Sequence, residues 1–201
     1  SSDLLFKGLG TKRLALVNRY HKPELKPRLD ELLAVDGFSE IMILESTPEE
    51  PTKIDTWHSD MTFRQHPPVG TVLRSRIVPK KGGDTLFSSM TAAYDALSEP
   101  MQKFLYDLTA VHDFRYGFRK SLAEPGGEDR LRQAILDNPP VVHPVIHTHP
   151  ETGKKVVFVN KLFTTHIVEL DPAESTSVLS FLFNHITTDE FTYRFSWEPN
   201  S

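Results

Sequence analysis

His58 and Asp60, on either side of Ser59, are the residues of this chain whose types and spacing could do chemistry. On an extended strand, side chains two positions apart point to the same face. An imidazole nitrogen and a carboxylate oxygen would then stand side by side, with Ser59 turned away. A neutral imidazole beside a carboxylate suits a borderline divalent metal. With a second histidine from elsewhere, the pair would complete a 2-His-1-carboxylate facial triad, which leaves one side of the metal open. Taken alone, His-x-Asp is also what a solvated pair on a surface strand looks like. The surrounding chain has to decide.

The elements that must position these groups belong to a chain of 201 residues, enough for one domain with a real core. Hydrophobic residues at 38% and charged residues at 25% are the proportions of an ordinary globular protein. A net charge of −4 gives no electrostatic reason to expect nucleic acid or an anionic membrane as partner. An anionic substrate would have to be held by local cations. There are no cysteines, which excludes disulfides, thiolate zinc sites and cysteine nucleophiles. No apolar run approaches a membrane span and no export pattern opens the chain, so the expected location is cytoplasmic.

Along the chain, Thr11–Tyr20 and Pro27–Val35 read as helical pieces, and Glu40–Leu44 as a short strand. A Pro- and Glu-rich loop, Glu45–Lys53, leads into the His58 strand. Thr71–Pro79 and Asp84–Met90 read as a hairpin turning at Lys80-Lys81-Gly82-Gly83. Short helices follow at Thr91–Leu97 and after the cap Ser98, then a strand at Ala110–Phe114. Arg115–Pro140, with Gly117, Pro125-Gly126-Gly127 and Pro139-Pro140, is a long excursion of the kind that can serve as a lid. Val141–Ile146 and Val156–Asn160 are strands around the Pro150–Gly153 turn. Asp171-Pro172-Ala173-Glu174 starts a helix running to about Thr187, and Phe191–Trp197 alternates as a last strand. Many short strands with a few outer helices predict a mainly β fold with α, a β-sandwich or jelly roll with helical packing.

Trp57–Phe63, then Pro67–Ser98 with Gly82-Gly83-Asp84-Thr85-Leu86 inside it, His112-Asp113-Phe114, His143–Leu170 and Phe181–Thr187 form an ordered series. That series, over most of residues 40–201, resembles the TauD/TfdA family of Fe(II)/2-oxoglutarate-dependent dioxygenases, most of all its taurine dioxygenases. The resemblance implies a double-stranded β-helix (jelly roll, cupin-like) with flanking helices and iron in its mouth. It implies His58 and Asp60 as iron ligands and as the catalytic centre, and Thr85 as the hydroxyl that binds a carboxylate of 2-oxoglutarate. Read from its residues alone, the Thr85 segment is a plain Gly-Gly turn followed by a β-branched strand residue. By the same matching Met61, Phe63, Phe118 and Phe163 line the substrate pocket, although each could be core, Phe63 above all. Phe118, an aromatic in a Gly/Pro-bounded excursion, has the least reason to be core. Asn160 could orient the pocket or end a strand.

The implied activity is hydroxylation of a small organosulfonate at the carbon beside sulfur. Sulfite and an aldehyde would be released, 2-oxoglutarate and O2 consumed, and succinate and CO2 formed. Rival readings are an alkyl sulfatase or aryloxyalkanoate dioxygenase of the same family, a non-catalytic jelly-roll metal-binding module, and a zinc hydrolase. Homo-oligomerisation is left open.

Two departures stand out. The family's third iron ligand is a distal histidine, followed by an arginine for 2-oxoglutarate. By alignment on His185-Ile186-Thr187 that histidine would fall roughly ten residues beyond Ser201. Residues 1–201 are therefore expected to be one jelly-roll domain lacking N- and C-terminal portions. The other departure is Ile54, where taurine enzymes carry an asparagine that contacts substrate; an apolar residue cannot replace an amide's hydrogen bonds. Among other histidines, His143, His147 and His149 alternate and could in principle bind a metal, though Pro144 and Pro150 interrupt them. His66 and His112 read as structural, His185 as a helix-end group, and His166 stays open.

Overall fold

The computed structural model describes residues 56–201 and 43–47 with their side chains, and the backbones of strands at 4–8, 13–19, 34–35 and 38–42. Among the described residues the fold is mixed α and β, with strands in four sheets and no closed barrel. One sheet has the order β3-β4-β2-β5, from Ala34–Val35, Phe38–Glu45, Arg13–Arg19 and Gly70–Ile77. A second has the order β1-β6-β12, from Leu4–Gly8, Thr85–Ser89 and Thr192–Phe195. A third, β11-β7-β8, joins Thr164–Ile167, Thr109–His112 and Val141–Pro144. The two-stranded sheet pairs β9, Ile146–Thr148, with β10, Lys155–Val157.

Three sequence expectations are corrected. Thr11–Tyr20 is not helical: Arg13–Arg19 is the strand β2, antiparallel to both β4 and β5. Its apolar residues satisfy either period in so short a run, and pairing on both edges decides for the strand. The expected helix over Pro27–Val35 ends in the strand β3; residues 27–33 lie outside the described residues, as does Ile54. The expected hairpin is not one either. β5 pairs with β2, whereas β6 pairs with β1 and β12, so the chain changes sheet between them. Gly82 and Gly83 both have φ near +77°, at +76° and +78°, and two successive left-handed residues redirect the chain out of one sheet into the other.

The helices follow their caps. α1 spans Met90–Asp95 and α2 spans Glu99–Tyr106, where Ser98 accepts from the Met101 amide. α6, Pro172–His185, opens with a capping box in which the Asp171 amide donates to Glu174 at 3.0 Å. The excursion after β7 folds as α3 (Phe114–Gly117), α4 (Arg119–Leu122) and α5 (Gly127–Asp137). Val141–Ile146 is split at Val145, so β8 stays with β7 while β9 turns to pair with β10. The second of those strands ends at Val157, short of the expected Asn160.

Two buried clusters hold these elements. The larger is mostly aliphatic and joins α1, α2 and α6 to the strands through residues such as Leu105, Val145, Val156, Ile167 and Leu182. The smaller centres on Phe63, Phe114 and Phe163, with Ala134 and Leu162. At the far end, Ser201 and Asn200 hydrogen-bond to the backbone of Ser75 at 3.0 Å each, tying the segment after β12 to β5. No helix of the described residues is long and apolar enough to cross a membrane.

Candidate metal and cosubstrate site

His58 does not lie on a regular strand. It is an isolated bridge residue, and the chain turns at once through Asp60–Phe63. The two candidate ligands come together all the same: His58 Nε2 lies 3.5 Å from Asp60 Oδ1. The extended-strand expectation was wrong about the backbone, and the turn brings the same pair of atoms face to face.

The hydrogen bonds around the pair orient its two side chains. His58 Nδ1 is 2.9 Å from the Thr56 carbonyl, which can only accept, so Nδ1 carries the ring proton. In the neutral ring Nε2 is then the lone-pair atom, directed at the carboxylate. Asp60 Oδ2 accepts from the Thr71 hydroxyl at 3.2 Å, which pins the carboxylate from β5 and turns Oδ1 toward the imidazole. Backbone and hydroxyl partners that fix a ligand's tautomer and direction are the usual surroundings of a metal ligand. Two lone-pair atoms 3.5 Å apart can both reach one cation at the ~2.1 Å typical of His and carboxylate ligation. His58 is buried, 7% exposed. The donor set therefore fits two of the three positions of a facial triad. Among the described residues no group of three His, Asp or Glu side chains gathers as a complete metal site.

Thr85, at the start of β6, is buried at 1% exposure. Its Oγ1 accepts from Trp197 Nε1 at 2.9 Å. A hydroxyl that accepts from an indole can donate its own proton to a carboxylate oxygen, which is the role expected of it. Trp197 was missed as a site residue. Its signal was the alternation of the last strand: it lies two positions beyond Phe195, which pairs with Thr85 across β6, and the two rings meet edge-on at 4.8 Å.

The four candidate pocket residues converge in the smaller cluster. Phe63 and Phe163 are buried members, with Met61 and Phe118 packed against them. The Phe63 ring meets Phe163 at 4.8 Å and Phe114 at 5.1 Å, both edge-on, and Phe118 stacks on Phe114 at 4.4 Å. The excursion is clamped here too. Gly117 lies so close to Phe163 that a Cβ would stand 2.3 Å from the ring.

Three of the other described histidines have backbone partners. His143 Nε2 contacts the Arg64 carbonyl at 2.9 Å, His149 Nδ1 accepts from the amides of Glu151 and Thr152, and His185 Nε2 contacts the Ala93 carbonyl at 2.7 Å. Burial, with His143 beside it, holds His112 neutral by pushing its pKa down to about 3. Burial lowers His143 and His147 as well.

Residues 4–201 match the family model "Taurine catabolism dioxygenase TauD, TfdA family". A putative alpha-ketoglutarate-dependent sulfonate dioxygenase of Schizosaccharomyces pombe is 35% identical over 82% of this chain and 43% of its own length. An alkylsulfatase of Acinetobacter baylyi is 33% identical over 82% of this chain and 52% of its own. The crystal structure of AAD-2 in complex with Mn(II) and N-oxalylglycine superposes with a TM-score of 0.59 at 31% identity, over 72% of this chain and 55% of that one. The chain thus spans about half the length of the proteins it matches. With the family model covering residues 4–201, the chain belongs to the TauD/TfdA dioxygenase family.

Proposed function

We propose that this protein is an Fe(II)- and 2-oxoglutarate-dependent dioxygenase acting on a small organosulfonate, with His58 and Asp60 as iron ligands and Thr85 on the cosubstrate. The observation that carries this is the 3.5 Å approach of His58 Nε2 to Asp60 Oδ1, with the ring proton committed to Thr56. The fold that suits such a site is a double-stranded β-helix over residues 1–201, its mouth at the His58–Asp60 turn.

With O2 as oxidant, bound iron and 2-oxoglutarate would supply the chemistry for C–H hydroxylation beside sulfur, yielding succinate, CO2, sulfite and an aldehyde. This chain's residues do the rest. His58 offers the Nε2 lone pair, with its ring proton held on Nδ1 by the Thr56 carbonyl. Asp60 supplies a negative charge whose direction is held by Thr71. Thr85 donates to a carboxylate oxygen while Trp197 fixes its hydroxyl. Met61, Phe63, Phe118 and Phe163 present an apolar wall that excludes water from the substrate side. A sulfate ester is the alternative substrate, favoured by the similarity to an alkylsulfatase at nearly the same identity.

The full-length protein should form succinate in an oxygen-dependent way with iron and a sulfonate or sulfate-ester panel, and His58→Ala should abolish Mn(II) binding. Full metal retention in His58→Ala would refute the ligand assignment. Absence of stimulation by every sulfonate and sulfate ester would remove the substrate class.

A further inference from the structure

The turn that carries Asp60 is held from three sides, and its own backbone does not favour it. Met61 sits at φ +55°, a left-handed conformation uncommon for a side chain of its size, and the Arg64 amide closes the turn on the Met61 carbonyl at 3.0 Å. Such a conformation persists where the surroundings over-determine it. Here the next three residues are each gripped by a different element. Thr62 is 2% exposed, and its Oγ1 is 2.9 Å from both His112 Nδ1 on β7 and Asn160 Nδ2 on the loop after β10. Phe63 is wedged among Phe114, Phe118 and Phe163. The Arg64 carbonyl meets His143 Nε2 on β8 at 2.9 Å.

The proton inventory of this network is self-consistent. Asn160 Oδ1 accepts from the amides of Leu162 and Phe163 at 3.1 and 3.0 Å, which fixes the orientation of the side-chain amide. Nδ2 therefore donates to Thr62 Oγ1, and the Thr62 hydroxyl is left with its own proton to give to His112 Nδ1. The ring proton of neutral His112 then lies on Nε2, on the side of the Phe158 carbonyl and the Thr164 hydroxyl. Thr164 Oγ1 in turn accepts from the Asn160 amide at 2.9 Å, closing the circuit. A buried network with every member satisfied is stiff. The same Asn160 that grips Thr62 also orders the loop bearing Phe163, so the ligand turn and the apolar wall share one anchor.

We infer that Asn160 and His112 are positioning residues that act through the Thr62 hydroxyl, setting the direction of the Asp60 carboxylate at the metal and coupling it to the Phe163 loop. The inference rests on the reading of Asp60 as a ligand. Thr62→Val keeps the shape and removes the hydroxyl; Asn160→Asp keeps the oxygen that caps Leu162 and Phe163 and puts a carboxyl oxygen where the donor to Thr62 stood.

The test is Mn(II) affinity and the Co(II) absorption spectrum of the full-length protein, with thermal melting in parallel. Either variant should weaken Mn(II) binding by about tenfold or more and shift the Co(II) bands, the range usual for a partner of a metal ligand. Thr62→Ser should restore both. Ser175→Ala, which removes an equally buried hydroxyl bonded to the Ile167 amide, should lower the melting temperature and leave both metal readouts unchanged. Unchanged Mn(II) affinity and spectrum in Thr62→Val and Asn160→Asp, beside a His58→Ala variant that has lost binding, would overturn the positioning role and leave the ligand assignment standing. A parent protein that binds no Mn(II) would overturn both. Should Thr62→Val not fold, Asn160→Asp decides alone.

Discussion

The two buried clusters differ in composition and in what depends on them. The larger is mostly aliphatic and gathers residues from three helices and several strands. The smaller is built on phenylalanines, and it includes Phe63, three residues after Asp60. Aliphatic packing is non-directional, so the larger cluster constrains distances between elements more than orientations. Edge-on aromatic contacts and a closed hydrogen-bond circuit are directional. The difference teaches that both clusters stabilise the fold while the directional contacts of the smaller one also bear on the geometry of the candidate site, and variants can separate the two roles.

Phe63→Ala should give the largest effect, a loss of about 3–5 kcal/mol of stability, because it empties the centre of the smaller cluster. Measured by urea unfolding, that loss should be comparable with Leu182→Ala in the larger cluster. Mn(II) affinity of the folded protein should fall only in Phe63→Ala. Equal metal affinity in the two variants would break the comparison. Gly117→Ala should follow at about 1–3 kcal/mol, since its methyl would drive into the Phe163 ring and a buried ring has little room to yield. A melting temperature equal to that of the parent would show that the α3–α5 excursion is not clamped there.

The third effect is that of pH. His112 is held neutral in the folded state with a pKa near 3, against 6.5 for the free side chain, so the unfolded state binds more protons between those values. Stability is then fully present above pH 6.5 and declines as pH falls toward 3, with a limiting slope of about 1.4 kcal/mol per pH unit from this residue. His143 and His147 are shifted in the same direction and steepen the decline. Urea midpoints at pH 8 and pH 5 check it, and His112→Asn should flatten the dependence.

Much of the scaffold was legible before any coordinates. The caps at Ser98 and Asp171 are local hydrogen-bond motifs, and both helices start where those residues stand. Strand β5 was legible from alternation, β4 from a short apolar run of strand length, and β6 as the strand after the Gly-Gly turn. Their partners were not. A turn of Lys-Lys-Gly-Gly reads as a hairpin, and nothing local says that the flanking strands belong to different sheets. For Arg13–Arg19, a run short enough to fit either period, pairing with β4 and β5 overrode the local ambiguity.

The sequence by itself determined the chemistry available at the site: one imidazole and one carboxylate around Ser59, no thiol anywhere, a threonine after Gly-Gly-Asp, and phenylalanines in the right order. Only the tertiary structure decided how those groups face each other. The tautomer of His58 depends on the Thr56 carbonyl, the direction of Asp60 on Thr71, and the turn between them and Phe63 on His112 and Asn160, 50 and 98 residues away from Thr62. Hydrogen bonds of that span follow from how strands and loops pack, and no local pattern of residue types encodes them.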